Sequence, residues 1–290
     1  MTVVVVGSGN VDLVSQVEWI PAPGETVLST GFATHPGGKG NNQSTAAARA
    51  GAATTFVGAF GDDDNGMLLR ASLTAAGVHP LVRTSPAPTG TALIAVSAAG
   101  ENSIVVNAGA NATLVALTEA ELTAIADAAI VLLQLEIPLP TVEAAATAAR
   151  GVVVLNAAPA QPLPATLLAA VDLLVVNEHE AALLGGASRL LMTVPALVVT
   201  VGAAGALVYV QGAEPAQVPG IPVDVVDTTG AGDTFCGALV ARLDELGGLT
   251  PATLAHATRF ATAAAALSVR RPGAVPAIPT REEIDDFHRS

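Results

Sequence analysis

The chain has 290 residues, of which 51% are hydrophobic and 13% charged, a composition that excludes a disordered protein and fits one α/β unit with a core of Ala, Val and Leu. Uninterrupted apolar runs such as 3–6 and 130–133 are far shorter than the ~20 residues that span a bilayer, so no membrane partner is expected. A net charge of −13 repels nucleic acid and anionic membrane, so an anionic ligand has to be held by backbone N–H groups, helix N-termini or a metal ion.

Short apolar runs at 3–6, 54–57, 130–133, 152–155, 173–176 and 197–201 read as strands buried on both faces, because they are continuous rather than alternating. Between them lie helical candidates near 41–50, 65–76, 118–128, 141–149, 165–170 and 178–184. That alternation predicts a doubly wound, mostly parallel sheet flanked by helices. Segments 11–36 and 89–107 break the pattern, and residues 91–97 and 103–106 around Gly100-Glu101-Asn102 read as a hairpin. They predict a small antiparallel sheet standing off the main one as a lid over the strand ends. In the last third, a hairpin at 206–218 and a strand at 223–226 lead into Asp227-Thr228-Thr229-Gly230-Ala231-Gly232-Asp233 and a helix to about 246. A second helix covers about 251–269, and a tail helix at 280–288 carries a capping box, Thr280 with Glu283. Neither the N-terminal Met1-Thr2-Val3, which lacks the features of a signal peptide, nor the lone Cys236 argues for export, so a reducing cytoplasm is expected.

Several short constellations carry chemistry. Gly7-Ser8-Gly9 suggests a dinucleotide fingerprint, but the position of its third glycine is Asp12. Asn10 and Asp12 either bind a polyol through paired hydrogen bonds or, for Asp12, cap a turn. Gly37-Gly38-Lys39-Gly40-Asn41-Asn42 opens a helix, lacks the spacing of a Walker A loop, and holds the only lysine among 12 basic residues. That lysine either faces a ligand or stands in a surface turn. In Asp227 to Asp233, Gly230 and Gly232 clear the helix N-terminus for an anion, and Asp233 is either a cap or a general base beside that cradle. Asn177 with Glu180 reads first as a capping box, although one glutamate at a strand end also suffices to organise Mg²⁺ through water. The five histidines are scattered without zinc spacing.

Taken together, these residues resemble the ribokinase branch of the PfkB carbohydrate kinase family nearly end to end. The resemblance runs through Gly7 to Asp12, Pro23-Gly24-Glu25-Thr26, Gly37 to Gln43, Phe60-Gly61-Asp62-Asp63, Asn107 to Asn111, Gln134-Leu135-Glu136, Asn156-Ala157-Ala158-Pro159, Asn177 to Glu180, and Asp227 to Phe235. It implies ATP-dependent phosphorylation of the D-ribose 5-hydroxyl, with Asp233 as base and the backbone of Gly230, Ala231 and Gly232 as anion hole. It implies ribose contacts from Asn10, Asp12, Gly38, Lys39, Asn42 and Glu136, and ATP contacts from Asn177, Thr200, Gly202, Gly205, Gly232 and Thr262. Glu180 would organise Mg²⁺ through water, and Asp227, Thr229, Ser268, Arg271 and Gly273 would surround K⁺, chiefly through carbonyls. The lid would pair two subunits into a homodimer.

Three positions depart from that pattern: Ala277 stands where a serine is expected near the K⁺ site, the stretch from Glu180 to Thr200 is short, and Thr262 replaces a His or Asn beside the adenine. The competing expectations are a kinase of the same family acting on 2-deoxyribose, fructose or adenosine, and a non-catalytic sugar-binding protein of the same fold.

Overall fold

Strands that are apolar at every position have to be covered on both sides, and the computed structural model, which describes residues 2–289, satisfies this with two helical layers. In chain order the elements are β1 (Val3–Val6), β2 (Asn10–Val17), β3 (Gly31–Gly37), α1 (Lys39–Arg49), β4 (Thr54–Gly61), α2 (Asp64–Ala75), β5 (His79–Ser85), β6 (Gly90–Ser97), β7 (Asn102–Asn107), α3 (Glu119–Asp127) and β8 (Ile130–Leu133). They continue as α4 (Leu139–Ala148), β9 (Val152–Asn156), α5 (Ala165–Ala169), β10 (Leu173–Asn177), α6 (Glu178–Leu183), α7 (Ala187–Leu191), β11 (Ala196–Thr200), β12 (Gly205–Val210), β13 (Ala216–Pro219), α8 (Ala231–Leu246), α9 (Pro251–Ser268) and α10 (Arg281–Arg289).

The main sheet has nine strands in the order β13-β12-β11-β10-β9-β8-β1-β4-β5. Its seven strands from β5 to β11 are parallel, and β12 and β13 close one edge as an antiparallel hairpin. Alternate side chains enter opposite cores. Val3 and Val5 of β1 join Leu73, Phe235, Leu239 and Ala261 beneath α1, α2, α8 and α9, whereas Val4 and Val6 join Ile125, Val142, Leu167 and Leu190 beneath α3, α4, α5 and α7. Burying each such Val, Leu or Phe contributes about 1.5–3 kcal/mol.

The second sheet, built from the segments expected to form a lid, has the order β3-β2-β6-β7. Its outer pairs are antiparallel, and its central pair β2–β6 is parallel. The reason is connectivity: β2 follows β1 and β6 follows β5, and these two parent strands point the same way in the main sheet. Strand β7 is exposed at every position.

Two local readings need correction. Residues 223–226 form no strand; the segment crosses from β13 to α8, held by the Val226 and Asp227 N–H groups on the Val269 carbonyl. Strand β5, absent from the sequence reading, pairs with β4 at the open edge, where Pro80 is tolerated and most positions are only partly covered. The capping box at Thr280–Glu283 forms as its spacing predicts, and a second one, Thr118–Glu121, opens α3. Among the described residues no helix is long and apolar enough to cross a membrane.

Candidate active site

The C-terminal ends of the parallel strands carry Gln134, Asn156, Asn177 and Thr200 into the crevice where an open α/β sheet takes its ligands. Strand β1 delivers Ser8 to the same rim. The Ser8 hydroxyl donates to Glu136 Oε2 (2.5 Å), which also accepts the Lys39 N–H (3.1 Å), so the loop after β8 is stapled to the start of α1. Asn111 fixes the neighbouring turn: its Oδ1 accepts the Gly9 N–H (3.0 Å), and its Nδ2 donates to the Gly9 carbonyl (3.1 Å) and to Asn10 Oδ1 (2.8 Å). Gly37 leaves room for the Asp12 carboxylate and Gly90 for the Asn10 and Asn111 amides, each of which a Cβ would overlap. The expected hydroxyl-binding residues Asn10, Asp12, Gly38, Lys39, Asn42 and Glu136 therefore gather around the base of the lid and the start of α1.

That cluster is acidic. Burial, followed by the charges of Glu136 and Asp233, pushes the Asp12 carboxyl up to about 7. Lys39 is the opposing charge: Asp233 holds its ammonium above the ordinary range, burial works against this, and Glu136 and Glu180 add to it.

Helix α8 begins at Gly230, whose φ of 74° is the left-handed conformation that leaves glycine unstrained. Beyond it the Gly232 and Asp233 N–H groups point out of the helix end with no protein acceptor among the described residues, while the Ala231 N–H is turned onto the Thr228 carbonyl (3.2 Å). Of the three residues expected to form an anion hole, Ala231 thus has its N–H already occupied. A Cβ at Gly232 would meet nothing, so this turn is open on its outer side. Asp233 is buried, and its carboxylate accepts Asn42 Nδ2 (3.0 Å) on Oδ2 and Gln43 Nε2 (2.9 Å) on Oδ1. These contacts are possible because α1 and α8 lie close together: at Gly237 a Cβ would come within 2.7 Å of the Ala47 nitrogen.

On the far side of the α8 turn lies a cavity of about 590 Å³ lined by Thr200, Gly202, Gly205, Thr262 and the apolar Ile221, Val225, Phe235 and Ala265, among others. Its width and apolar walls suit a flat aromatic ring. A smaller cavity of about 140 Å³, lined by Lys39, Asn177, Glu180, Asp233 and Cys236, adjoins it at Thr200 and Gly232. Asn177 thus faces the small cavity and not the apolar slot. Asn177 and Glu180 also form the capping box of α6, with Asn177 Oδ1 accepting the Glu180 N–H (2.8 Å) and Glu180 Oε2 accepting the Asn177 N–H (2.9 Å). The two uses coexist, because the box leaves Nδ2 of Asn177 and Oε1 of Glu180 free.

Asp227 is a loop anchor. Its Oδ1 accepts the Thr229 N–H (2.9 Å) and hydroxyl (2.6 Å), and its Oδ2 accepts the Gly273 N–H (2.7 Å). Burial opposes the charge, but these hydrogen bonds prevail and hold the carboxyl below its usual range. The Ser268 hydroxyl donates to the Ala265 carbonyl (2.8 Å) and the Arg271 guanidinium pairs with Glu283, so both side chains are engaged elsewhere than at Asp227.

The residues that the sequence reading left without roles are the amides Gln43, Gln134, Asn156 and Asn111, together with Ser8. Their signal was a polar residue closing an apolar strand, as at Leu133-Gln134 and Leu155-Asn156. The profile of the pfkB family carbohydrate kinases matches residues 1–281. The chain belongs to the pfkB family of carbohydrate kinases. It is 41% identical over 296 residues to the ribokinase of Bacillus subtilis (strain 168), covering 98% of this chain and 98% of that protein. It is 39% identical over 302 residues to the bifunctional ribokinase/ribose-5-phosphate isomerase A of Fructilactobacillus sanfranciscensis, covering 97% of this chain but spanning only 55% of that longer protein. The structure of Arabidopsis thaliana ribokinase complexed with ribose and ATP has a TM-score of 0.91 and 34% identity, with 100% of this chain and 99% of that one covered. Within this pfkB-family chain the three departures take physical form. Ala277 is fully buried and offers no side-chain oxygen, the Thr262 hydroxyl is committed to the Thr258 carbonyl (2.9 Å), and the short helices α6 and α7 fill the stretch before β11.

Proposed function

We propose that the chain transfers the γ-phosphoryl group of ATP to the 5-hydroxyl of D-ribose, giving D-ribose 5-phosphate and ADP. The observation that carries this reading is the placement of Asp233: a buried carboxylate held by two amides, with the hydroxyl-binding cluster on one side and an open helix N-terminus and apolar slot on the other. Both the pfkB match and the ribokinase relatives support it.

Ribose would be held by Asn10, Asp12, Gly38, Lys39, Asn42 and Glu136, whose amides, carboxylates and ammonium match a ligand rich in donors and acceptors. Asp233 orients the 5-hydroxyl and accepts its proton as the oxygen–phosphorus bond forms and the bond to the ADP oxygen breaks. The Gly232 and Asp233 N–H groups and the helix dipole meet the charge of the transferring group, with Gly230 and Ala231 shaping the turn that aims them. Thr200, Gly202, Gly205 and Thr262 line the adenine slot, and Asn177 faces the phosphates. Lys39, set among Asp233, Glu136 and Glu180, balances the charge of the polyphosphate.

The residues present fit a divalent cation held mainly by phosphate oxygens. Glu180 lines the phosphate cavity with one oxygen outside its capping box, and no cluster of three or more acidic, histidine or cysteine side chains exists among the described residues. Glu180 would hold Mg²⁺ through water, and the ion would neutralise phosphate charge. Asp227 ties the Thr229 turn to Gly273, and the carbonyls of Thr229, Ser268, Arg271 and Gly273 would hold K⁺ there, without a side-chain oxygen from Ala277.

The chain acts as one unit over 1–290, with the lid from 11–36 and 89–107. The lid is also the expected homodimer surface, since β7 is exposed throughout and Leu93, Ile104, Val105 and Val106 stand in solvent beside unpaired edges. A buried, unpaired Cys236 suits the reducing cytoplasm. The test is ADP release from Mg·ATP with D-ribose, 2-deoxyribose, fructose and adenosine, each with and without K⁺, alongside light scattering for the dimer. Turnover strongest on ribose is expected; strongest turnover on another acceptor replaces the sugar, and silence on all makes the chain a binding protein.

A further inference from the structure

Three amide side chains, from α1, β9 and the loop after β8, meet in a file beneath the candidate base. Gln134, just past β8, donates from Nε2 to Gln43 Oε1 (2.7 Å). Gln43, on α1, donates from Nε2 to Asp233 Oδ1 (2.9 Å) and to Asn156 Oδ1 (3.0 Å). Asn156 closes the file by donating to the Val175 carbonyl (3.2 Å). Both glutamines are fully buried, so no solvent competes with these bonds.

The file has a direction. Because Gln134 donates to Oε1 of Gln43, the Gln43 amide has only one orientation: reversed, it would set nitrogen against nitrogen at Gln134 and oxygen against the Asp233 carboxylate. Gln134 gains nothing locally from its own orientation, since its Oε1 has no hydrogen-bond partner and lies over Gly7, where a Cβ would overlap it. A buried orphan oxygen is costly, and here its orientation serves the next residue in the file. The choice of an amide also matters. A lysine or arginine in place of Gln43 would fix the carboxylate equally well but would stabilise its charge and weaken it as a proton acceptor, whereas a neutral donor fixes direction with less loss of basicity.

We propose that Gln43, locked in orientation by Gln134, is a positioning residue for phosphoryl transfer: it tethers Oδ1 of Asp233 so that the carboxylate presents a fixed edge to the acceptor hydroxyl. This rests on the kinase reading above. Gln43 acts through Asp233 and Asn156.

The test compares full-length wild type with Gln43→Met, Gln134→Met and Gln43→Glu, measuring kcat and KM for the sugar across pH, with thermal melting of each variant. Wild type is assayed first on ribose and on the other sugars, and the comparison is made on whichever it phosphorylates. Gln43→Met is expected to lower kcat about a hundredfold with KM for the sugar within threefold, and Gln134→Met about tenfold with the same split. Gln43→Glu sets a second carboxylate against the first, so the acid limb of the kcat profile moves at least one pH unit higher and turnover recovers in part at alkaline pH. A purely structural role would lower the melting temperature without moving that limb. The proposal is overturned if Gln43→Met keeps kcat within threefold, if the loss falls on KM alone, or if the acid limb of Gln43→Glu stays in place. Should Gln43→Met fail to fold, Gln134→Met decides by the same split. Silence of wild type on every sugar overturns the kinase reading and this proposal together, whereas an active wild type with indifferent variants overturns this proposal alone.

Discussion

Replacing Asp233 by alanine separates chemistry from binding. Loss of a general base costs roughly two to four decades in rate, or about 2.7–5.4 kcal/mol of barrier at 1.36 kcal/mol per decade. The structure sets where in that range the variant should fall. Asn42 Nδ2 loses the carboxylate that it meets at 3.0 Å, while Gln43 Nε2 keeps Asn156 Oδ1 at 3.0 Å, so only one donor of the network is stranded. A stranded buried donor costs about 1–3 kcal/mol. Against that cost, one of the charges that raise the Asp12 carboxyl disappears, which relieves the acidic cluster. The two effects on the fold oppose each other, and neither offsets the missing proton acceptor. We expect kcat to fall by at least a thousandfold, ribose affinity to stay within about tenfold, and the melting temperature to move little. A coupled assay of ADP release gives the first quantity and a calorimetric titration with ribose the second. Retention of more than a tenth of wild-type kcat would refute the assignment of the base.

Asp12→Asn tests the acidic cluster through pH. With its carboxyl at about 7 in the fold against 3.8 as the ordinary value, the folded state holds the extra proton between these limits. Stability therefore falls as pH rises through that window, by on the order of 4 kcal/mol at most. The asparagine variant should gain more melting temperature at pH 8 than at pH 5, and an equal gain at both would contradict the buried charge. Gly237→Val should destabilise the fold by about 1–3 kcal/mol in urea unfolding and lower kcat, because the added carbons meet the backbone of α1 where Gln43 begins its reach to Asp233. Ala265→Trp should fill the apolar slot and raise KM for ATP at least tenfold with KM for ribose unchanged; a rise in both would show that the slot is not the nucleotide side.

How much of this was legible in the sequence depends on which physical rule fixes each element. The runs at 3–6 and 130–133 are strands for the reason that makes them conspicuous: both faces are buried, so no polar residue interrupts them. Strand β5 was hidden because only part of it is covered and His79, Pro80 and Arg83 break any period. At 223–226 the apolar residues mimic a strand, but strand formation needs a neighbouring edge, and no local pattern reports one. In the site, glycines announced themselves because their requirement is local, as the left-handed turn at Gly230 shows. The amide file did not, since Gln43 meets Gln134 across 91 positions and Asp233 across 190. Asn177 and Glu180 were read as a cap or as a site, and the structure makes them a cap that faces a cavity.

The path from β1 straight into β2 has one further effect. Asn10 and Asp12 lie in the first three residues of β2, one of the two inner strands of the second sheet. On the proposed function, a sugar gripped by these side chains would be gripped by the second sheet itself, so sugar binding and any movement of that sheet would form a single linked quantity. Any change that biased the sheet toward the sugar-gripping position, including burial of its outer strand β7, would then tighten sugar binding by the same factor by which the sugar favours that position.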